Sequence, residues 1–166
     1  ITAVGDFFAD RFEKMGWIVE KYDLRPNTGN CTVIKNREAD HYDVLLIGHV
    51  DTVFETGETA KRPFRRDEKN CYGVGVIDMK QGCLSMLHIM EALPKEVNDK
   101  LNILVIYNPD EEIGSIWSLP ILQKYASISS KVFVFEAGGH GGEVTIERKG
   151  STKLSVTIHG KAGHAG

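Results

Sequence analysis

Three short apolar runs, residues 42–48, 101–107 and 131–135, each break off into histidine or carboxylate residues. They read Tyr-Asp-Val-Leu-Leu-Ile-Gly, Leu-Asn-Ile-Leu-Val-Ile-Tyr and Lys-Val-Phe-Val-Phe. The run 42–48 is nearly continuous, the kind of strand buried on both faces of a sheet with layers above and below; 101–107 reads as another buried strand and 131–135 as a third apolar strand. The runs are followed by His49-Val-Asp51, by Asp110-Glu111-Glu112 and by Glu136. In layered α/β folds ligands sit beyond the carboxyl ends of the strands. The chemistry of this chain is therefore expected at one edge of one sheet.

The remaining pattern fits an α/β layered fold, with helices alternating with buried strands. Val4, Phe7, Phe8, Phe12 and Met15 recur at helical spacing before Gly16. Residues 17–22 and 31–35 read as strands around the turn Pro26-Asn-Thr-Gly-Asn30. Residues 54–77 read as irregular. A helix is expected over 81–93, stopped by Pro94, and a short one after Gly114, interrupted at Pro120. Residues 143–149 and 152–159 alternate like antiparallel strands around Gly150-Ser151.

Composition narrows the function classes. At 42% hydrophobic and 26% charged residues the chain is an ordinary globular domain. A net charge of -3 advertises no basic face for nucleic acid or anionic lipid. The apolar runs are strand-sized, so no membrane helix is expected. The three cysteines, Cys31, Cys71 and Cys83, contain no C-x-x-C and read as reduced thiols. With no visible leader, that points to the cytoplasm. The chain starts at Ile1 and stops in a glycine-rich stretch, which reads as a fragment.

Each cluster has two readings. Residues two apart on an extended backbone share a side, so His49 and Asp51 can meet one site, or the carboxylate can orient a metal-binding imidazole. A loop histidine beside an N-capping Asp51 is the plainer alternative. Gly73-Val-Gly-Val-Ile-Asp78 fails as a dinucleotide fingerprint, because Asp stands at the third glycine and no apolar strand precedes it. Asp78 either caps the next helix or approaches a metal. Three adjacent carboxylates at 110–112 repel one another unless cations or hydrogen bonds compensate. Glu136, at the end of an apolar strand, needs a partner, either a metal or a Lys or Arg. Carboxylates with imidazole suit zinc, or cobalt and manganese as substitutes. Serine-hydrolase, phosphate-loop and H-E-x-x-H motifs are missing.

The motifs Gly48-His49-Val-Asp51-Thr-Val, Gly73-x-Gly75-x-x-Asp78-Met-Lys-x-Gly82, Asn108-x-Asp110-Glu-Glu-Ile-Gly-Ser115, Phe135-Glu136 and Gly160-Lys-Ala-Gly-His164-Ala-Gly occur in this order. Together they resemble the M20 metallopeptidases, glutamate carboxypeptidase branch. The resemblance implies a zinc-peptidase catalytic domain, a layered mixed sheet flanked by helices, over 1–149. It implies the start of a lid and dimerisation domain over 150–166. By the resemblance, His49, Asp78 and Glu136 hold one zinc and Asp78 bridges to a second on Glu112. Asp51 orients His49, Glu111 is the general base and acid, and His164 contacts substrate. The family's last histidine ligand is not among these residues, and Glu136-Ala-Gly departs from relatives with Pro after the Glu. The expected function is metal-dependent hydrolysis of an amide bond in a peptide or N-acyl amino acid, by a homodimer when full length. The fragment itself is expected to be inactive and to hold at most one zinc tightly. The alternatives are an aminoacylase or deacetylase of the same fold, or a non-catalytic metal-binding homologue.

Overall fold

The computed structural model describes residues 1–139, 141–150, 152, 154–161 and 163. The elements run α1 (Thr2–Lys14), β1 (Ile18–Asp23), β2 (Asn30–Lys35), β3 (Tyr42–His49), α2 (Glu58–Lys61), β4 (Arg65–Arg66), β5 (Cys71–Tyr72), α3 (Gln81–Glu91), α4 (Lys95–Asn98), β6 (Ile103–Asn108), α5 (Leu119–Ser127) and β7 (Ser129–Val134). Five strands form one mixed sheet in the order β1-β2-β6-β3-β7. β6 and β7 flank β3 and run parallel to it, whereas β1, β2 and β6 alternate in direction. The three apolar runs are thus adjacent strands with their carboxyl ends together.

Every residue of β6 is buried, which explains its unbroken apolar character. Ile103, Val105 and Tyr107 pack with Phe8, Phe12, Cys83, Met86 and Leu87 beneath α1 and α3. Leu104 and Ile106 pack with Leu45, Ile121 and Tyr125 beneath α5. Each fully buried large side chain contributes about 1.5–3 kcal/mol. Aromatic stacking adds to this where Phe8 lies on Tyr107, with ring centroids 4.3 Å apart.

Three local expectations are corrected. Pro120 lies in the first turn of α5, where its missing amide costs nothing, so it starts the helix and does not interrupt it. Residues 54–77 contain the short α2 and the hairpin β4–β5. Among the described residues of 143–159 no strand forms, and Val144, Ile146, Leu154, Val156 and Ile158 are exposed. Alternation specifies a strand only when a partner strand and a covering layer bury one face. No helix among the described residues is long and apolar enough to cross a membrane.

Candidate metal centre

The pairing of β3 with β6 sets His49 opposite Asn108, and β7 brings Phe135 alongside through its amide on the Ile47 carbonyl at 3.0 Å. Glu136 therefore arrives next to His49. Asp78 comes from a kinked turn before α3, preceded by Gly75 in the left-handed conformation. One donor atom each from His49, Asp78 and Glu136 lies within 4.8 Å of the others. His49 Nε2 is 2.9 Å from Asp78 Oδ1, 3.5 Å from Glu136 Oε1 and 3.9 Å from Glu111 Oε2. Asp78 makes no side-chain cap to α3, and Glu136 has no Lys or Arg partner among the described residues.

His49 is held through its ring and through its backbone. Nδ1 is 3.2 Å from the Asp51 carbonyl and 3.3 Å from its carboxylate. The His49 amide donates to Met79 Sδ at 3.1 Å, and Cys83 Sγ donates to the His49 carbonyl at 3.1 Å. With Nδ1 engaged by Asp51, Nε2 faces the carboxylates, and loss of the Nε2 proton would leave the tautomer a metal requires. Burial disfavours the imidazolium, yet Asp51, Glu136 and Asp78 outweigh it and raise the His49 pKa to about 9. Burial likewise pushes the Glu136 carboxyl up, and its like-charged neighbours Asp78, Glu111 and Glu112 add to this against His49. Four acidic groups around one histidine are short of positive charge, which a divalent cation would supply. The donor set and its second contacts therefore fit a metal ion.

Asp51 has a further task that spacing does not reveal. Burial opposes its charge, but His49 and the Glu112 amide hold its carboxyl below the usual range. Its two oxygens accept the amides of Glu111 and Glu112 at 3.2 and 3.0 Å, so they cap the short 3-10 turn Glu111–Ile113. Gly114 closes that turn at φ 93°, a conformation that favours glycine.

The three consecutive carboxylates separate. Asp110 is buried and turned inward, its Oδ2 accepting the amides of Trp117 and Ser118 at 2.8 and 3.2 Å. Asn108 Oδ1 accepts the Asp110 amide and the Ser118 hydroxyl, while its amide group donates to Ser115 Oγ. Asn108 and Asp110 thus brace the loop that presents Glu111 and Glu112. Their place in Asn108-x-Asp110-Glu-Glu was the available signal. Glu112 stays outside the three-donor cluster, with Oε1 accepting the Val53 amide at 3.1 Å. Burial raises its pKa, reinforced by Asp78. Cys83 is buried and its thiol is pushed up to about 12 by that burial, so it supports His49 as a neutral donor. His164 lies outside the described residues.

The family model for peptidase family M20/M25/M40 matches residues 45–157, more than half of the chain. The chain belongs to the M20 peptidase family. It is 34% identical over its whole length to Carboxypeptidase G2 of Pseudomonas sp. (strain RS-16), of which it covers 41%. It is 28% identical to Succinyl-diaminopimelate desuccinylase of Legionella pneumophila (strain Lens), over 73% of this chain and 36% of that one. An M20 family metallo-carboxypeptidase from Sulfolobus solfataricus shares the fold, with a TM-score of 0.61 at 18% identity over 86% of this chain and 36% of that one. Human carnosine dipeptidase 1 does so at 0.61 and 17%, over 78% and 31%. The chain thus spans about two fifths or less of these M20 relatives.

Proposed function

We propose that the protein to which these residues belong is a zinc-dependent amidohydrolase of carboxypeptidase type, acting on a peptide or N-acyl amino acid. The observation that carries this is the cluster of His49, Asp78 and Glu136 with Glu111 Oε2 3.9 Å from the same imidazole nitrogen. His49, Asp78 and Glu136 would hold one zinc, and Asp78 with Glu112 would contribute to a second. A bound divalent ion supplies Lewis acidity and makes water a nucleophile near neutral pH.

The chain's own residues do the rest. Asp51 keeps the proton on His49 Nδ1 and fixes the turn that carries Glu111. Glu111, half-exposed at the mouth of the cluster, takes the proton of the attacking water at its carboxylate and hands it to the leaving nitrogen. Residues 150–166 would begin the lid and dimerisation domain, with His164 reaching substrate. The likeness to a desuccinylase supports a second reading, a deacylase using the same groups on a different substrate.

In the full-length protein, Glu111→Ala is expected to lower turnover by at least ~10²–10⁴-fold, the usual contribution of a positioned acid-base group, while metal content is retained. Steady-state rates on C-terminal glutamate peptides, N-acyl amino acids and dipeptides, with metal analysis of the same samples, test this. Undiminished turnover in the variant would remove Glu111 from the role.

A further inference from the structure

The segments that carry the metal-binding cluster also wall a second hollow, a pocket of about 350 Å³. Phe54, Lys61, Arg62, Arg65, Tyr72 and Val74 line it. Its volume falls at the lower end of small-molecule sites. Phe54 lies three residues beyond Asp51, and Val74 four before Asp78. The two walls are locked together. Lys80 Nζ donates to the Val74 carbonyl at 3.0 Å, and a Cβ on Gly75 would lie 2.4 Å from Thr52 Cγ2 and 2.6 Å from Lys80 Nζ. The pocket is therefore held at a set position relative to the cluster.

Its charge is opposite to that of the cluster. Three cationic side chains line the pocket and no acidic residue does. Lys61 and Arg62 share Glu58, at 2.6 and 3.3 Å. Arg65 has no carboxylate partner among the described residues. Its guanidinium lies 3.6 Å from the centre of the Tyr72 ring, directly opposite in the β4–β5 pair. Arg62 lies over Phe54 at 5.2 Å. A guanidinium stacked on an aromatic face keeps its N–H edge free and oriented, the arrangement that takes a carboxylate in a two-pronged contact.

We propose that this pocket is an anion subsite in which Arg65, aided by Arg62 and Lys61, holds a carboxylate of the substrate remote from the amide being cut. The subsite rests on the amidohydrolase reading above. The carboxylate is borne either by the acyl half or by the amine half of the substrate.

The test uses the full-length protein and matched substrates. N-succinyl-leucine against N-acetyl-leucine varies the acyl carboxylate. N-acetyl-leucine against N-acetyl-leucinamide varies the amine-side carboxylate. Arg65→Ala is expected to raise KM for the carboxylate-bearing member of one pair about tenfold more than for its neutral match, with little change in kcat, the pattern of lost ground-state binding. The pair that responds identifies the half. Equal changes in both pairs, or none, would overturn the subsite and leave Arg65 as a hairpin-stabilising residue. Arg65→Gln, which retains a side chain over Tyr72, guards against a loosened hairpin.

Succinate binding to the metal-free protein, followed by NMR at the Arg65 Nε–H and the Tyr72 ring, is read without catalysis. Saturable shifts at Tyr72 that vanish in Arg65→Gln are expected, and no shift overturns the subsite. Wild type inactive on every substrate would sink the amidohydrolase reading, and the succinate titration then decides the pocket alone.

Discussion

The carboxylate of Asp51 is within reach of His49 Nδ1 and accepts the amides of both Glu111 and Glu112. One side chain therefore aligns the histidine and the acidic turn. Replacing it by asparagine removes the charge that draws these groups together and turns one acceptor into a donor. Asp51→Asn is expected to weaken divalent-metal affinity about 10–100-fold, the usual effect of losing the group behind a ligating histidine. Chelator competition with cobalt measures the affinity, and faster amide exchange at Glu111 and Glu112 reports the released turn. Unchanged affinity would confine Asp51 to structural support. Cys83 and Met79 act through the His49 backbone, contacts that fix the path of β3 as it leaves the sheet.

At the scale of elements, the contact between α3 and the end of β7 decides where Glu136 lies. A Cβ on Gly82 would stand 1.9 Å from the Phe135 carbonyl oxygen, a backbone atom that cannot swing aside. Gly82→Ala is expected to cost about 1–3 kcal/mol, the range for overpacking a close contact, and to weaken metal binding by moving Glu136. Urea midpoints and cobalt affinity measured together check both effects. The other face is tied by polar contacts. Glu20 of β1 accepts the Tyr22 and Tyr125 hydroxyls at 3.0 Å each and pairs with Lys35, which is almost wholly buried. Burial opposes the charge of Glu20, but Lys35, Tyr125 and Tyr22 hold its pKa below 4.5. A lowered carboxyl pKa adds stability above the unfolded value, and that stability is lost as pH falls through the folded one. Glu20→Gln should therefore cost about 1 kcal/mol at pH 7, a figure reduced for solvent screening. The difference from wild type should disappear once the pH has fallen below the lowered pKa of folded Glu20 in denaturant titrations, and a gap persisting in acid would show that the charge of Glu20 is not its cause.

For the whole molecule, the two halves of the proposed centre are unequal. His49, Asp78 and Glu136 converge, while Glu112 stands apart on the Val53 amide. The 166-residue chain alone is expected to retain at most one tightly bound divalent ion after gel filtration, counted by elemental analysis. Two stoichiometric ions would overturn that. The edge strand β7 leaves Val132, Phe133 and Val134 exposed, in contrast to the covered β6. Exposed apolar edges invite pairing with further polypeptide.

The apolar runs, the helices α1 and α3 and the M20 motifs were legible from local sequence, because apolar run length, helical periodicity and motif order are properties of short stretches, although the apolar run of β7 is exposed where that of β6 is covered. That histidine and carboxylates stand at strand ends was equally plain. Which of those donors meet was not. The strand order places β3 between β6 and β7, and register then sets His49 beside Asn108 and Glu136. The inward turn of Asp110, the double use of Asp51 and the pocket between residues 54 and 74 arise from contacts between distant residues. Among the described residues the expected strands at 143–149 and 152–159 do not form, for the same reason, since alternation becomes a strand only where another surface buries one of its faces. Side-chain direction at a loop depends on what packs behind it, and only the tertiary structure supplies that.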